Sequence, residues 1–209
     1  MNFMQLRERQ PKFPVTVKTG EGVVELIWNK IEYADGYRVF ASPVGKNHFV
    51  GVINVKGTTA VMKKRANGVP MQYKVKAFRI ADGPDNFFGE SEIVIACPLE
   101  TPRRLTAIVG SDGICTLSWR YNSQCDGFKI YADSNESGKY SFVCYSGKNS
   151  CRLDSFTKSG KVSFVVRSFI MTGHMEKLGV SSAPAEAVLP KSKGAKAVQF
   201  DHSMIRKTA

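Results

Sequence analysis

Apolar and polar residues alternate along most of this chain, in short runs. Residues 23–28 put Val24, Leu26 and Trp28 on one face and Glu25 and Ile27 on the other. A period of two marks a strand with one buried face. Tyr37 and Val39 share a face within 37–41, and Met71, Tyr73, Val75 and Ala77 share one within 71–79. Turn residues separate the runs: Gly20-Glu21-Gly22, Ala34-Asp35-Gly36 and Lys56-Gly57. Glycine is suited to such places because it tolerates positive φ. The pattern predicts strands over 15–18, 23–28, 37–41, 48–55, 58–62, 71–79 and 91–96, with loops at 42–47, 63–68 and 80–89. No segment keeps a 3.6-residue period over about 11 positions, so no substantial helix is expected.

The whole pattern then recurs. Trp28 is followed by Trp119, Gly36 by Gly127 and Tyr73 by Phe164, always 91 residues later. A constant offset over so long a span marks a duplicated unit. Its period is too long for a solenoid repeat and suits a β-sandwich of about 100 residues. In the second copy strands are predicted over 105–109, 114–119, 128–132, 140–145, 151–153, 161–169 and 185–189. The expected fold is all-β, two tandem β-sandwiches with short terminal arms. The expected boundaries are an arm at 1–13, domain 1 at 14–98, a linker at 99–101, domain 2 at 102–190 and a basic arm at 191–209. Pro98 and Pro190 close the domains, and Pro102 should keep the linker stiff. The halves 1–100 and 101–190 are each expected to fold.

Several spaced features resemble one family. They are the tryptophans Trp28 and Trp119, the runs Gly36-Tyr37-Arg38-Val39-Phe40 and Gly127-Phe128-Lys129-Ile130-Tyr131, and the runs Tyr73-Lys74-Val75-Lys76-Ala77 and Phe164-Val165-Val166-Arg167-Ser168. Gly89-Glu90-Ser91 and Gly179-Val180-Ser181 look like a Gly-x-Ser lead-in to the last strand. Together these resemble fibronectin type III domains, over residues 14–98 and 102–190. One departure stands out. The family's tyrosine at the start of the sixth strand is replaced by Met71 and Val162, so its corner hydrogen bond is expected to be absent from both copies. The resemblance implies a binding or spacing module rather than an enzyme, although a fold does not fix a function. No Arg-Gly-Asp occurs in 80–89, so the integrin-binding role of some members does not carry over.

Charge and chemistry alter this picture little. The net charge is +12, of which +2 lies in 1–13, +3 in 14–98, +3 in 99–190 and +4 in 191–209. Basic arms on modestly basic domains permit an acidic partner, yet serve solubility as well. Cys97, Cys115, Cys125, Cys144 and Cys151 are odd in number and irregular in spacing, a poor disulfide framework. Val24, Ile53 and Ala60 stand where the second copy has Cys115, Cys144 and Cys151, so these thiols replace small apolar groups. A reducing compartment is expected, with at most one disulfide and the favoured number none, so that about five thiols should react in the unfolded protein. The start of the chain holds no signal-peptide core, and no apolar run reaches membrane-spanning length, so no membrane role is expected. The localisation expected is a virion or the cytoplasm, with an extracellular site as the alternative. His48, His174 and His202 pair with no acid at motif spacing, and no nucleophile elbow or phosphate-binding glycine loop occurs. Asp82, Asp85 and Glu90 lack calcium-loop order. No catalytic residue, metal or cofactor is expected.

What remains is surface. Phe87 and Phe88 fall in the 80–89 loop, and adjacent aromatics there cannot both point inward, so one is a candidate contact. Met171, His174 and Met175 occupy the matching place in the second copy. Lys63-Lys64-Arg65 and Arg103-Arg104 are short basic clusters without interleaved aromatics, which argues against a single-strand nucleic-acid platform. The C-terminal arm begins basic and then carries Val198, Phe200, Met204 and Ile205, as a segment that docks on a neighbour would. The expected partners are other proteins of an assembly, copies of itself included. The favoured function is a non-enzymatic structural or protein-binding module. Paired domains with a docking tail look like accessory components of a bacteriophage particle, of head or tail. The alternatives are a spacer or adhesion fragment of a secreted or surface protein, and a nucleic-acid-binding protein.

Overall fold

The computed structural model describes residues 12–83, 86–154, 156 and 158–190. Every regular element among them is a strand. The first repeat contains β1 (Lys12–Phe13), β2 (Val15–Gly20), β3 (Val23–Trp28), β4 (Gly36–Pro43), β5 (Val50–Val55), β6 (Thr59–Met62), β7 (Met71–Phe78), β8 (Phe87–Ser91) and β9 (Val94–Ala96). The second contains β10 (Arg103–Val109), β11 (Cys115–Arg120), β12 (Gly127–Asp133), β13 (Ser141–Ser146), β14 (Ser150–Leu153), β15 (Gly160–Thr172), β16 (Met175–Leu178) and β17 (Ala185–Leu189).

Each repeat makes two sheets. In the first, β2-β3-β6 form one, and β1-β8-β7-β4-β5 form the other, with β9 also on β7. In the second, β10-β11-β14 form one, and β13-β12-β15-β16 form the other, with β17 also on β15. Among the pairs whose register is described, all are antiparallel except β1 with β8.

The alternation read from the sequence sets the cores. Val24, Leu26, Trp28, Tyr37, Val39, Tyr73, Val75 and Ala77 are buried in the first repeat; Cys115, Leu117, Trp119, Phe128, Ile130, Val162, Phe164 and Val166 are buried in the second. The indole of Trp28 meets Tyr37 edge-on at 5.2 Å, and Trp119 meets Phe128 at 5.1 Å. Burying one such side chain contributes roughly 1.5–3 kcal/mol.

Hydrogen bonds repeat at the same offset. Trp28 N donates to Thr58 O and Trp119 N to Asn149 O, both at 3.0 Å. Asp35 Oδ2 accepts from Ile80 N at 2.9 Å, and Asp126 Oδ2 accepts from Met171 N at 2.6 Å. Asp35 thereby braces the connection just after β7, and Asp126 braces the far end of β15.

Three details of the frame go beyond the sequence reading. Phe13, assigned to the arm, is buried, and Lys12–Phe13 pairs with Glu90 and Ser91. Pro14 has no amide hydrogen, so the chain leaves that ladder there and starts β2 in the other sheet. Second, the buried serine matching Ser91 is Ser182 rather than Ser181. Ser91 Oγ accepts from Val75 N at 2.9 Å, and Ser182 Oγ accepts from Val166 N at 3.0 Å. The second repeat carries one more residue between its glycine and this serine. Third, Leu99 is buried beside Cys97 and Ile170, with Cys125 packed against them. Glu100 Oε2 accepts from Asn122 N at 3.0 Å and Ser123 Oγ at 2.7 Å. Leu99 and Glu100, placed in the linker expected to be stiff, are thus held by a packed cluster and by hydrogen bonds.

The chain divides into two compact units. One takes the described parts of Met1–Thr101 with Tyr121–Gly127 and Arg167–Val180; the other takes Pro102–Arg120, Phe128–Val166 and the described part of Ser181–Ala209. The Leu99 cluster and the Glu100 hydrogen bonds lie inside the first.

Candidate functional site

The inward positions of each sheet are filled by core residues, so any site must come from the outward positions. In the first repeat β4 and β7 pair with Arg38 opposite Lys76 and Phe40 opposite Lys74. Tyr37, Val39, Tyr73 and Val75 are buried between them, which leaves Arg38, Phe40, Lys74 and Lys76 on the other face. β8 adds Phe87 and Glu90. The rings of Phe40 and Phe87 meet edge-on at 5.6 Å. The Arg38 guanidinium and the Lys76 ammonium each lie 5.5 Å from the centre of the Phe87 ring, and Lys74 lies 4.5 Å from that of Phe49. A cation at this range is attracted by the ring quadrupole.

Glu90 ties the lysines together, with Lys74 Nζ at 3.2 Å and Lys76 Nζ at 2.9 Å. Burial pushes its carboxyl up, but the hydrogen bonds from Lys76 and Lys74 outweigh that and hold it below the ordinary glutamate value. Arg38 Nε donates to Asn54 Oδ1 at 2.8 Å. A shallow groove of about 500 Å³, lined by Arg38, Gly51, Val52, Ile53 and Asn54, runs beside it.

The second repeat rebuilds the same chemistry. Lys129 and Tyr131 follow Arg38 and Phe40 at the 91-residue offset. Tyr131 meets Phe142 edge-on at 5.9 Å, and Phe142 meets Tyr145 at 4.9 Å. Lys129 Nζ lies 5.7 Å from the Phe142 ring and 5.1 Å from the Tyr145 ring. Phe142 is 49% exposed and Tyr145 42%. The aromatic side has moved: the first repeat supplies its ring from β8, the second from β13. Gly51 stands where Phe142 stands, and a Cβ there would lie 3.2 Å from Arg38 Cδ. The glycine thus leaves room for Arg38 to reach Phe87.

The two phenylalanines assigned to a loop tip lie instead in β8. Strand alternation sends them to opposite faces. Phe88 packs against the first core, with the Arg79 guanidinium 4.8 Å from its ring; the same guanidinium lies 5.2 Å from the Tyr33 ring. Phe87 is the outward one. Met171 and Met175 are also strand residues, at the ends of β15 and β16, and both are exposed. His174 is in the two-residue turn between them, where Gly173 takes a φ of 64°. Val198, Phe200, Met204 and Ile205 lie outside the described residues.

Sequence reading missed Arg38, Phe40, Phe49, Lys74, Lys76, Lys129, Tyr131, Phe142 and Tyr145. It considered basic clusters along the chain, at 63–65 and 103–104, whereas these cations meet aromatics across neighbouring strands. The signal was available in the second phase of the alternation, where Arg38-x-Phe40, Lys74-x-Lys76 and Lys129-x-Tyr131 stand opposite the core positions.

No protein-family model matches the chain, and no curated protein matches it. Among solved structures, it is similar to a two-domain fibronectin type III segment of chicken tenascin. Identity there is 16%, the match covers 87% of this chain and 99% of that one, and the TM-score is 0.47. It is also similar to the FN1–FN3 domains of chicken CNTN1, at 19% identity, 87% and 65% coverage and a TM-score of 0.36. The chain thus spans a little under two thirds of that longer segment. By its strand order and register, the chain folds as two tandem fibronectin type III-like β-sandwiches.

Proposed function

We propose that this protein is a non-enzymatic binding module that engages acidic surfaces of partner proteins through the outward cation–aromatic faces of its two repeats. The observation that carries this is duplication outside the core. Core positions repeat because the fold needs them; Arg38 with Phe40 and Phe87, and Lys129 with Tyr131 and Phe142, face away from the core and still repeat in chemistry. Aromatic and arginine side chains are enriched where protein interfaces bind most strongly.

The finer reading is an accessory component of a larger assembly, a bacteriophage particle in its head or tail. Paired sandwiches and an arm carrying Val198, Phe200, Met204 and Ile205 support it by analogy of class. Sedimentation of an extract of the native source tests this level. Co-sedimentation with particles at a fixed stoichiometry is expected, and a chain found wholly in the soluble fraction overturns it.

The face itself is tested by fluorescence anisotropy with a labelled glutamate- and aspartate-rich peptide and a labelled oligothymidine at physiological salt. The peptide is expected to bind, and Phe87→Ala or Lys76→Glu to weaken it by about three-fold to ten-fold, about one kcal/mol for a cation–π contact. Preference for the oligothymidine, with affinity falling steeply in salt, would favour the nucleic-acid alternative.

A further inference from the structure

In the second repeat two thiols face each other across the open side of the sandwich. Cys144 is on β13 and Cys151 on β14, which belong to different sheets. Their Sγ atoms are 3.3 Å apart. Neither is fully buried. A disulfide bond is about 2.0 Å long, so bonding needs the sulfurs to approach by little more than 1 Å, within reach of small side-chain rotations. The first repeat has Ile53 and Ala60 at these places, the first half-buried against the core and the second buried in it. An apolar contact in one repeat is thus a dithiol in the other.

We propose that Cys144 and Cys151 form a thiol–disulfide exchange site that accepts the oxidised state of a low-molecular-weight disulfide and becomes a covalent staple between the two sheets of the second repeat. The inference is independent of the binding role above. The chemistry runs in two steps. The Cys151 thiolate attacks one sulfur of the small disulfide; that S–S bond breaks, a mixed disulfide forms on Cys151 and one small thiolate leaves. The Cys144 thiolate then attacks the Cys151 sulfur, the protein disulfide forms and the second small thiolate leaves. Two protein thiols are oxidised, one small disulfide is reduced to two thiols, and the two protons pass to the departing thiolates.

The order follows from the local hydrogen bond. Either sulfur of this pair can donate; with Cys144 S–H as donor, the bond holds the Cys151 thiol below the ordinary cysteine value, and the same bond and burial raise Cys144. A thiolate is the nucleophile in exchange, so Cys151 attacks first. The other three thiols lack this arrangement: burial raises Cys97 to about 11, and burial also raises Cys115 and Cys125.

The test incubates the native, reduced full-length protein with excess oxidised glutathione and follows intact mass and tryptic peptides. Trypsin cuts after Lys139, Lys148 and Arg152, so the two cysteines fall on different peptides. The expected product has lost two hydrogens and links the peptides bearing Cys144 and Cys151, with no other pair. Its thermal midpoint should rise by about 5 °C or more, the usual consequence of cross-linking a chain across a short loop. Cys144→Ser should instead trap one glutathionyl group on Cys151, while Cys151→Ser should take up glutathione at least five-fold more slowly at Cys144. Separate glutathione adducts on both cysteines of the wild type, a bridge from either to another cysteine, or no reaction would each overturn the proposal. Equal rates in the two serine variants would overturn the order of attack.

Discussion

At the scale of single residues, the duplication is a control experiment within one chain. Ser91 and Ser182 each accept a hydrogen bond from a buried backbone amide on the neighbouring strand. Replacing either with alanine leaves that amide, Val75 N or Val166 N, without its acceptor, which costs about 1–3 kcal/mol. Ser181 is exposed and should tolerate alanine almost without change. Urea denaturation of the three variants is expected to separate Ser91→Ala and Ser182→Ala from Ser181→Ala. A large loss at Ser181 instead would reinstate the Gly-x-Ser reading of the sequence. That reading went astray because it counted from the glycine; the 91-residue offset carries Ser91 to Ser182, as the hydrogen bond does. Glu90 shows the pH dependence. Its folded carboxyl lies below the ordinary value because Lys76 and Lys74 donate to it. A depressed carboxylate contributes stability that is complete above about pH 5 and is lost as the pH falls through the folded value. The side chain is 27% exposed, so the contribution should be modest, about 0.5–1 kcal/mol. Glu90→Gln should lower stability by that amount at pH 7, and by progressively less as the pH falls through the folded value. At the same time it should strengthen binding to an acidic peptide, because two lysines lose their internal anion. Weaker peptide binding by Glu90→Gln would mean the carboxylate, not the cations, makes the contact.

At the scale of elements, the strands were legible and their ends were not. β3 and β17 have the limits expected from the sequence, because alternation is strict there and turns or prolines adjoin them. β8 was read as a loop. Its run Phe87-Phe88-Gly89-Glu90-Ser91 shows no strict apolar alternation, and it gains strand structure from pairing with β7 on one side and β1 on the other. Tertiary pairing overrides weak local preference in such segments. The placement has a direct consequence for the two phenylalanines. Phe88 is packed against the core, so Phe88→Ala should cost roughly 2–4 kcal/mol of stability. Phe87 is on the outward face with Phe40, Arg38 and Lys76, so Phe87→Ala should cost about 1 kcal/mol or less while weakening peptide binding. Thermal denaturation and anisotropy on the same two proteins measure both effects. Equal destabilisation would show that the two rings do not face opposite ways. The cation–aromatic faces were only half legible for the same reason: strand phase can be read from sequence, but the registers that bring Arg38 opposite Lys76 and Tyr131 opposite Phe142 come from pairing.

At the scale of the whole molecule, the repeat boundary and the boundary of packing do not coincide. The 91-residue offset divides the sequence near residue 100, since it reports how the chain was duplicated. The first compact unit also takes in Tyr121–Gly127 and Arg167–Val180. Nothing in the alternation of those segments announces this; they read as the ordinary turns and strand ends of the second copy. Their role shows in what they cover. Leu99 is 3% exposed because Ile170 and Cys125 pack around the cluster it forms with Cys97, and Glu100 is held by Asn122 N and Ser123 Oγ. A chain ending at Thr101 keeps every strand of the first repeat, so it should fold and give a β-sheet circular dichroism spectrum. It should nevertheless be less stable than the first repeat within the full-length protein. Exposing one leucine costs about 1.5–3 kcal/mol, and the lost hydrogen bonds to Glu100 add about 1 kcal/mol more, reduced because water replaces them. Hydrogen exchange at the amides of Val75 and Ala77, deep in β7, reads the stability of this repeat in both proteins on the same scale. Protection is expected to fall at least ten-fold in the shorter chain. Equal protection would show that the segments from the second copy add no stability to the first, and that the sequence boundary near residue 100 is the energetic boundary as well.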